Sequence, residues 1–273
     1  MIDKIGVRAH DYGKASPRKL FAAISNHGWQ SVQLAITKAI AGVNSYYDIT
    51  LELEEQIKAE LAASGLSLSV LGAYVELGIT DESIRHAEEE KFISQLGTAA
   101  RLGAGCVATE TTAHKKQPNA TQEQAMEALR RSLCAILPHA QSLGVTVAVE
   151  PVWYHTLSGA ELAHQLLKDM ACNNLKIVLD PINLLAPESL PSQRLLLERA
   201  VELLGEDIVA VHIKGARVKG NAMVSCPLLQ SQADIPFVFR LLGRLQQPLA
   251  VLREEAVPTN SAQDLAYMRS MIR

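Results

Sequence analysis

The chain has 273 residues, 48% of them hydrophobic, so it can bury a large core in one domain or in two small ones. Its formal net charge of −3 gives no bulk attraction to nucleic acid or to an anionic membrane. Its N-terminus lacks a signal-peptide pattern, and no apolar stretch approaches the ~20 residues that span a bilayer. Its four cysteines form no CxxC pair, so we expect free thiols and a cytoplasmic location.

Short β-branched runs alternate with longer segments of helical periodicity. Strands are predicted at residues 5–9, 31–35, 66–71, 105–109, 145–150, 176–180, 208–212 and 249–254. Helices are predicted at residues 17–27, 81–102, 123–143, 159–170, 192–204, 235–245 and 261–272. Eight β-then-α units of about 34 residues predict an α/β fold, a closed (β/α)8 TIM barrel, as a single domain over residues 1–273.

A doubly wound open sheet is the alternative architecture. It would lead us to expect a glycine-rich phosphate loop directly after an early strand. Gly103 and Gly105 instead precede their predicted strand. The sequence therefore favours the barrel.

Metal-binding side chains end the last four predicted strands. Glu150, Asp180, His212 and Glu254 follow apolar runs at separations of 30, 32 and 42 residues. Because the carboxyl ends of barrel strands meet at one mouth, these side chains are predicted to lie together. The set suits Mn²⁺, Mg²⁺ or Co²⁺ and can also hold Zn²⁺. Each acid alone could cap a helix and His212 alone could be a core histidine, but the joint pattern favours a metal site.

The last strand leaves one ligand ambiguous. Glu255 follows Glu254 directly, and Arg253 precedes it. Because side chains alternate along a strand, Glu254 is favoured only if Leu252 faces the barrel interior.

At these residues the chain resembles the xylose-isomerase-like barrel superfamily, which includes sugar isomerases, epimerases and endonuclease IV-type enzymes. Its pattern of Glu, Asp, His and Glu on strands five to eight matches the four residues one by one. A closer resemblance, to bacterial sugar phosphate isomerase/epimerase-like proteins, rests on VLGAY at 70–74, TET at 109–111, EPVW at 150–153, HT at 155–156, LDPINLL at 179–185 and HIK at 212–214. Two positions depart from the superfamily pattern: Asn183 replaces a common His, and Gly215 replaces a common Asp.

The resemblance implies proton transfer beside a carbonyl group, with a divalent metal ion as Lewis acid. Glu150 and Glu254 would be the acid/base pair of an isomerase or epimerase that acts on a sugar, sugar phosphate or polyol through an enediolate. The candidate substrate-binding residues are His155, Asn183, Glu110, Trp153, Tyr74, Lys214 and Arg217. Loop packing or solvation is the alternative role for several of these. His10, Gln33 and Lys38 are further, weaker candidates.

Three other functions remain open at this point. A dehydratase or lyase would use the same metal and the same enolate chemistry. A degenerate, non-catalytic binding barrel would explain Asn183, Gly215 and Arg253. Endonuclease IV-like activity is disfavoured, because only two of the eight histidines, His10 and His212, fall near strand ends and no basic face is evident. The expected partner is a small carbohydrate, with neither nucleic acid nor membrane, and a homodimer is possible.

Overall fold

A computed structural model describes residues 2–272, and at its centre eight parallel strands close into a barrel. The barrel strands are Ile2–Arg8 (β1), Ser31–Leu34 (β2), Ser67–Gly72 (β3), Cys106–Glu110 (β4), Val147–Glu150 (β5), Leu175–Leu179 (β6), Ile208–Ile213 (β7) and Leu249–Arg253 (β10). Their order around the barrel is β1-β10-β7-β6-β5-β4-β3-β2. The predicted (β/α)8 fold is confirmed.

Helices cover the outside of the barrel. They are Pro17–Asn26 (α1), Ile36–Ala39 (α2), Leu51–Ala63 (α3), Glu82–Leu102 (α4), Gln122–Leu143 (α5), Ala160–Met170 (α6), Gln193–Leu204 (α7), Ile235–Leu242 (α8) and Ser261–Ser270 (α9). None of the helices within residues 2–272 combines the length and the apolar character that a membrane crossing requires.

Helices α2 and α3 and one β-hairpin were not predicted from the sequence. Helix α3 buries only Glu54, Ile57 and Leu61, so its apolar stripe is narrow. Its signal was the capping residue Thr50, whose hydroxyl accepts a hydrogen bond from the backbone N–H of Leu53. A two-stranded antiparallel hairpin, Ala216–Lys219 (β8) and Ala222–Ser225 (β9), extends the loop after β7.

The barrel interior is lined by small and branched apolar side chains. Val70, Cys106, Ala108, Ala148, Val178, Ala210 and Leu252 form a separate buried cluster contributed by six strands. Because side chains alternate, the residue two positions further along each strand points to the same axis. That residue is Glu110 after Ala108, Glu150 after Ala148, Asp180 after Val178, His212 after Ala210 and Glu254 after Leu252. Strand parity thus directs five polar side chains toward one end of the barrel.

Gly6 lets the first strand complete this interior. A Cβ at Gly6 would lie 2.7 Å from Cδ2 of Leu252 and would collide with the carbonyl oxygen of Ser31. A side chain there would therefore separate β1 from its neighbours. Arg8, two residues after Gly6, reaches the same mouth as the five polar residues.

Candidate active site

Three side chains from β5, β6 and β7 converge at the carboxyl end of the barrel. One ligand atom each from Glu150, Asp180 and His212 lies within 4.8 Å of the other two. All three residues are buried, and Nδ1 of His212 lies 3.1 Å from Oε2 of Glu150. Two carboxylates and one imidazole on three adjacent strands form a facial set of donors for one cation.

The surrounding chain fixes how these donors point. Nε2 of His212 lies 2.5 Å from Oε1 of Gln33, and only the nitrogen of this pair can donate a hydrogen bond. In the neutral form that can bind a metal ion, that bond leaves Nδ1 of His212 as the nitrogen with a free lone pair. Oδ1 of Asp180 accepts the backbone N–H groups of Ile182 and Asn183, at 2.7 and 3.1 Å, and its other oxygen faces the mouth.

The donors fit a divalent metal ion. Nδ1 of His212 is buried without a hydrogen-bond partner among the described residues, and Oδ2 of Asp180 is buried 2.9 Å from the ammonium group of Lys214. A buried polar atom without a partner costs free energy unless something binds it. Hard oxygen donors with one imidazole suit Mn²⁺, Mg²⁺, Co²⁺ or Zn²⁺. Glu150, Asp180 and His212 would hold such an ion.

The residues around the end of β10 resolve the ambiguity between Glu254 and Glu255. Leu252 belongs to the barrel-interior cluster, so Glu254 shares its side of the strand. Arg253 points outward instead, where its Nε donates to Oδ2 of Asp264 on α9 at 2.7 Å. Glu255 has left the strand and adopts the left-handed conformation at φ 57°. Glu254 is therefore the acid that faces the mouth.

Glu254 is surrounded by positive charge. Nη1 of Arg8 donates to its Oε1 at 2.7 Å, and Nζ of Lys214 donates to its Oε2 at 3.3 Å. Nδ1 of His212 lies 3.8 Å from Oε1. Burial alone would raise the pKa of Glu254, but His212, Lys214 and Arg8 together hold it well below its usual range. Glu254 is thus an ionised carboxylate.

The acidic neighbours of His212 shift its pKa upward, in the opposite direction from the pKa of Glu254. Burial lowers the pKa of a histidine, but the carboxylates of Glu150 and Glu254 outweigh that effect and raise the pKa of His212 to about 9.

Lys214 and Asn183 connect the two sides of the site. Nζ of Lys214 donates to Oδ1 of Asn183 at 2.7 Å and lies 2.9 Å from Oδ2 of Asp180. Nδ2 of Asn183 in turn donates to Oε1 of Glu150 at 2.6 Å. A continuous chain of contacts therefore runs from Glu254 through Lys214 and Asn183 to Glu150.

Comparison with known proteins places this geometry in a family. A sequence profile described as "Xylose isomerase-like TIM barrel" matches residues 21–271. The chain belongs to the xylose isomerase-like TIM barrel family. No curated protein sequence matches it.

Solved structures of this architecture superpose over nearly the whole chain. D-psicose 3-epimerase, crystallised in the presence of D-fructose, is 15% identical, with 99% of each chain covered and a TM-score of 0.76. The 3-keto-D-glucoside 4-epimerase YcjR from E. coli is 17% identical, with 98% of this chain and 99% of that chain covered and a TM-score of 0.76. An IolI protein with a bound zinc atom is 16% identical, with 98% and 96% covered and a TM-score of 0.76. At these identities the likeness shows the fold.

A second acid and a second histidine, Glu110 and His155, lie beside the cluster of Glu150, Asp180 and His212. Glu110 pairs with Glu150 in the β4–β5 register, and its Oε2 lies 3.7 Å from Nδ1 of His155. Burial, with the charges of Glu150 and Glu254, raises the pKa of Glu110 to about 7. Burial also lowers the pKa of His155 to about 4, so this histidine is neutral at pH 7. The pair offers hydrogen-bonding groups to a bound hydroxyl.

The remaining predicted substrate-binding residues lie nearer the rim of the mouth. Tyr74 follows β3, packs edge-on against His10 and carries Nζ of Lys38 over its ring at 3.0 Å. Trp153 is 38% exposed and packs edge-on against Tyr154. Arg217 is exposed on β8. Their roles toward a substrate stay predictions.

Arg8 contacts the candidate site but was not predicted from the sequence, and Gln33 was only a weaker candidate. Both are polar residues at or near the end of a short strand, β1 and β2. Arg8 also lies two residues after a glycine that faces the barrel interior, so the parity that selected Glu254 would have selected it.

Proposed function

We propose that this protein is a divalent-metal-dependent isomerase or epimerase of a sugar, sugar phosphate or polyol. The observation that carries the proposal is the buried cluster of Glu150, Asp180 and His212, in which one ligand atom of each residue lies within 4.8 Å of the other two. Glu254 stands on the other side of His212, held by two cations. Sugar epimerases among the proteins of similar fold support the substrate class.

The bound metal ion would act as a Lewis acid toward a carbonyl oxygen and stabilise negative charge that develops there. The carboxylate of Glu254, held in place by Arg8 and Lys214, would take the proton from the carbon beside the carbonyl. Glu150 would return a proton from the side of β5. Return to the neighbouring carbon gives isomerisation, and return to the same carbon from the opposite face gives epimerisation.

The other mouth residues would orient the substrate. Neutral His155 and Glu110 would hydrogen-bond a substrate hydroxyl, and Asn183 keeps Glu150 in place through its amide. Arg8 and Lys214 fix the carboxylate of Glu254 from two sides. A general base must be held within hydrogen-bond reach of the proton that it moves.

Proton exchange in D₂O tests this function whichever product is formed. Protein supplied with Mn²⁺ should incorporate deuterium beside the carbonyl group of at least one compound in a panel of ketoses, aldoses and inososes. Exchange reveals the proton-transfer step even where net conversion is slight.

Two variants complete the test. Glu150→Gln and Glu254→Gln should each lower exchange by about 10²–10⁴-fold, the usual contribution of a general acid or base, while circular dichroism shows an intact fold. Near-normal exchange in either variant would remove that residue from the mechanism.

A further inference from the structure

We propose that Lys214 is a tethered counter-cation that competes with the divalent metal ion for the acidic side chains of the site and so sets its metal affinity. The inference rests on the proposed function, because it concerns the same metal cluster. It assigns a role to a residue that the proposed proton transfer uses only as a support for Glu254.

The contacts of Lys214 satisfy its whole ammonium group. Nζ lies 2.9 Å from Oδ2 of Asp180, 3.3 Å from Oε2 of Glu254 and 2.7 Å from Oδ1 of Asn183. An ammonium group has three N–H donors, so each donor has one acceptor nearby. Oδ2 of Asp180 is the oxygen that this side chain offers to a metal ion, since Oδ1 is engaged by backbone N–H groups.

Burial makes this arrangement an alternative to metal binding. Lys214 is only 8% exposed, so its charge is poorly screened by water. A divalent ion bound by Asp180 would lie close to the ammonium group and be repelled by it. The ion and the lysine therefore compete for the negative charge of Asp180, and binding requires Lys214 to give up part of its contact.

Both departures from the superfamily pattern favour this role of Lys214. A Cβ at Gly215 would collide with the carbonyl oxygen of Cys226 and lie 2.9 Å from that of Pro227, so the segment after the hairpin excludes a side chain there. The acid that many relatives carry at that position cannot attract Lys214 away from the site. Asn183 supplies the third acceptor, and its amide group then donates to Glu150.

Substitution of Lys214 separates competition from support. Lys214→Met should bind Mn²⁺ about 10–100-fold more tightly than the wild type in isothermal titration calorimetry, because repulsion and competition are both removed. With chelator present, its melting temperature should fall, since Asp180 and Glu254 lose their shared cation. Addition of Mn²⁺ should then raise the melting temperature of Lys214→Met by more than it raises that of the wild type.

Lys176→Met is the matched control. Lys176 forms an ion pair with Asp207 near the opposite end of β6, so its loss changes the net charge equally. Its Mn²⁺ affinity should stay within about twofold of the wild type. Lys214→Gln, which keeps a hydrogen-bond donor, supplies a second variant if Lys214→Met does not fold, and it should also bind Mn²⁺ more tightly.

The outcomes distinguish this inference from the proposed function. Equal or weaker Mn²⁺ binding by the folded Lys214 variant, with normal binding by the wild type, overturns the competition and leaves the metal-dependent function standing. Failure of the wild type and both Lys214 variants to bind Mn²⁺ overturns both. Tighter binding by the Lys214 variants alone supports the inference.

Discussion

The two corners of the barrel mouth handle buried charge differently. At the β5–β7 corner, Nδ1 of His212 has no hydrogen-bond partner among the described residues, and Asp180 is held by one cation, Lys214, and by two backbone N–H groups. At the β10–β1 corner, Glu254 is held by Arg8 and Lys214. Both corners are buried, and both contain carboxylates at strand ends.

The difference between the corners indicates a division of roles. A carboxylate already paired with two cations is oriented and ionised, as a base requires. The ligand atoms of Glu150, Asp180 and His212 instead lie close enough together to share one cation, as a metal site requires. Strand-end position alone makes Glu254 and Asp180 look equivalent, while their partners distinguish them.

Measurements of metal affinity should distinguish the two corners most clearly. Asp180→Asn should weaken Mn²⁺ binding by more than about 100-fold, because it removes a charged donor from the cluster. Glu254→Gln should weaken it by less than about 10-fold, because Glu254 lies outside the three-residue cluster and is held by Arg8 as well as by Lys214. Calorimetric titration of both variants provides the measurement.

An equal loss of affinity in the two variants would contradict the division of roles. It would instead make Glu254 a fourth metal ligand, as the spacing in the sequence predicts. That four-residue ligand set stays a prediction until the titration is done.

Removal of Arg253 should show how strongly the β10–β1 corner depends on buried ion pairs. Arg253→Gln should cost about 3–5 kcal/mol of unfolding free energy, because it leaves the carboxylate of Asp264 buried without its cation. Urea denaturation provides the measurement. The double variant Arg253→Met with Asp264→Leu should recover much of the loss, since apolar residues can replace a buried pair. A cost below about 1 kcal/mol for the single variant would mean that water reaches the pair.

The sequence predicted the barrel because all but one of the strands are short apolar runs followed by helical periodicity, which is a local signal. It predicted Glu150, Asp180 and His212 as neighbours because barrel topology alone brings strand ends together. Helix α3 was not predicted because its narrow apolar stripe gives little helical periodicity in the sequence. The hairpin after β7 was not predicted because its two strands are short and half exposed.

The partners of the site residues could not be predicted from spacing. Arg8 and Glu254 are 246 residues apart, and their contact depends on barrel closure between β1 and β10. In the sequence, Arg253 stands directly before a predicted metal ligand, but strand parity directs its side chain outward to Asp264. Contacts of this kind depend on side-chain direction and tertiary packing, which a single sequence encodes only indirectly.

Substitution of Arg8 tests whether Glu254 must be held in place to take part in proton transfer. Arg8→Gln should lower proton exchange by about 10–100-fold, because the carboxylate of Glu254 loses the partner that fixes it at 2.7 Å. Mn²⁺ affinity should change by less than about 3-fold if Arg8 acts through Glu254 and not through the metal cluster. Arg8→Lys, which keeps the charge but not the paired contact with Asp11, should give an intermediate rate. Wild-type exchange in Arg8→Gln would show that Glu254 needs no such support.

The smallest effect is expected outside both corners, at the Glu54–Arg101 pair between α3 and α4. Burial alone would raise the pKa of Glu54, but hydrogen bonds from Arg101 and Thr98 outweigh it and lower the pKa below its ordinary 4.5. A carboxylate whose pKa is lowered in the folded protein stabilises the fold at pH values above its ordinary pKa. That stabilisation is lost as the pH falls through the lowered pKa. Glu54→Gln should therefore cost about 1 kcal/mol or less at about pH 7, because Arg101 is half exposed, and less still at about pH 4. Thermal unfolding at both pH values, with and without Mn²⁺, gives the comparison. A metal-dependent difference between Glu54→Gln and the wild type would mean that charge effects at the mouth extend into the helix layer.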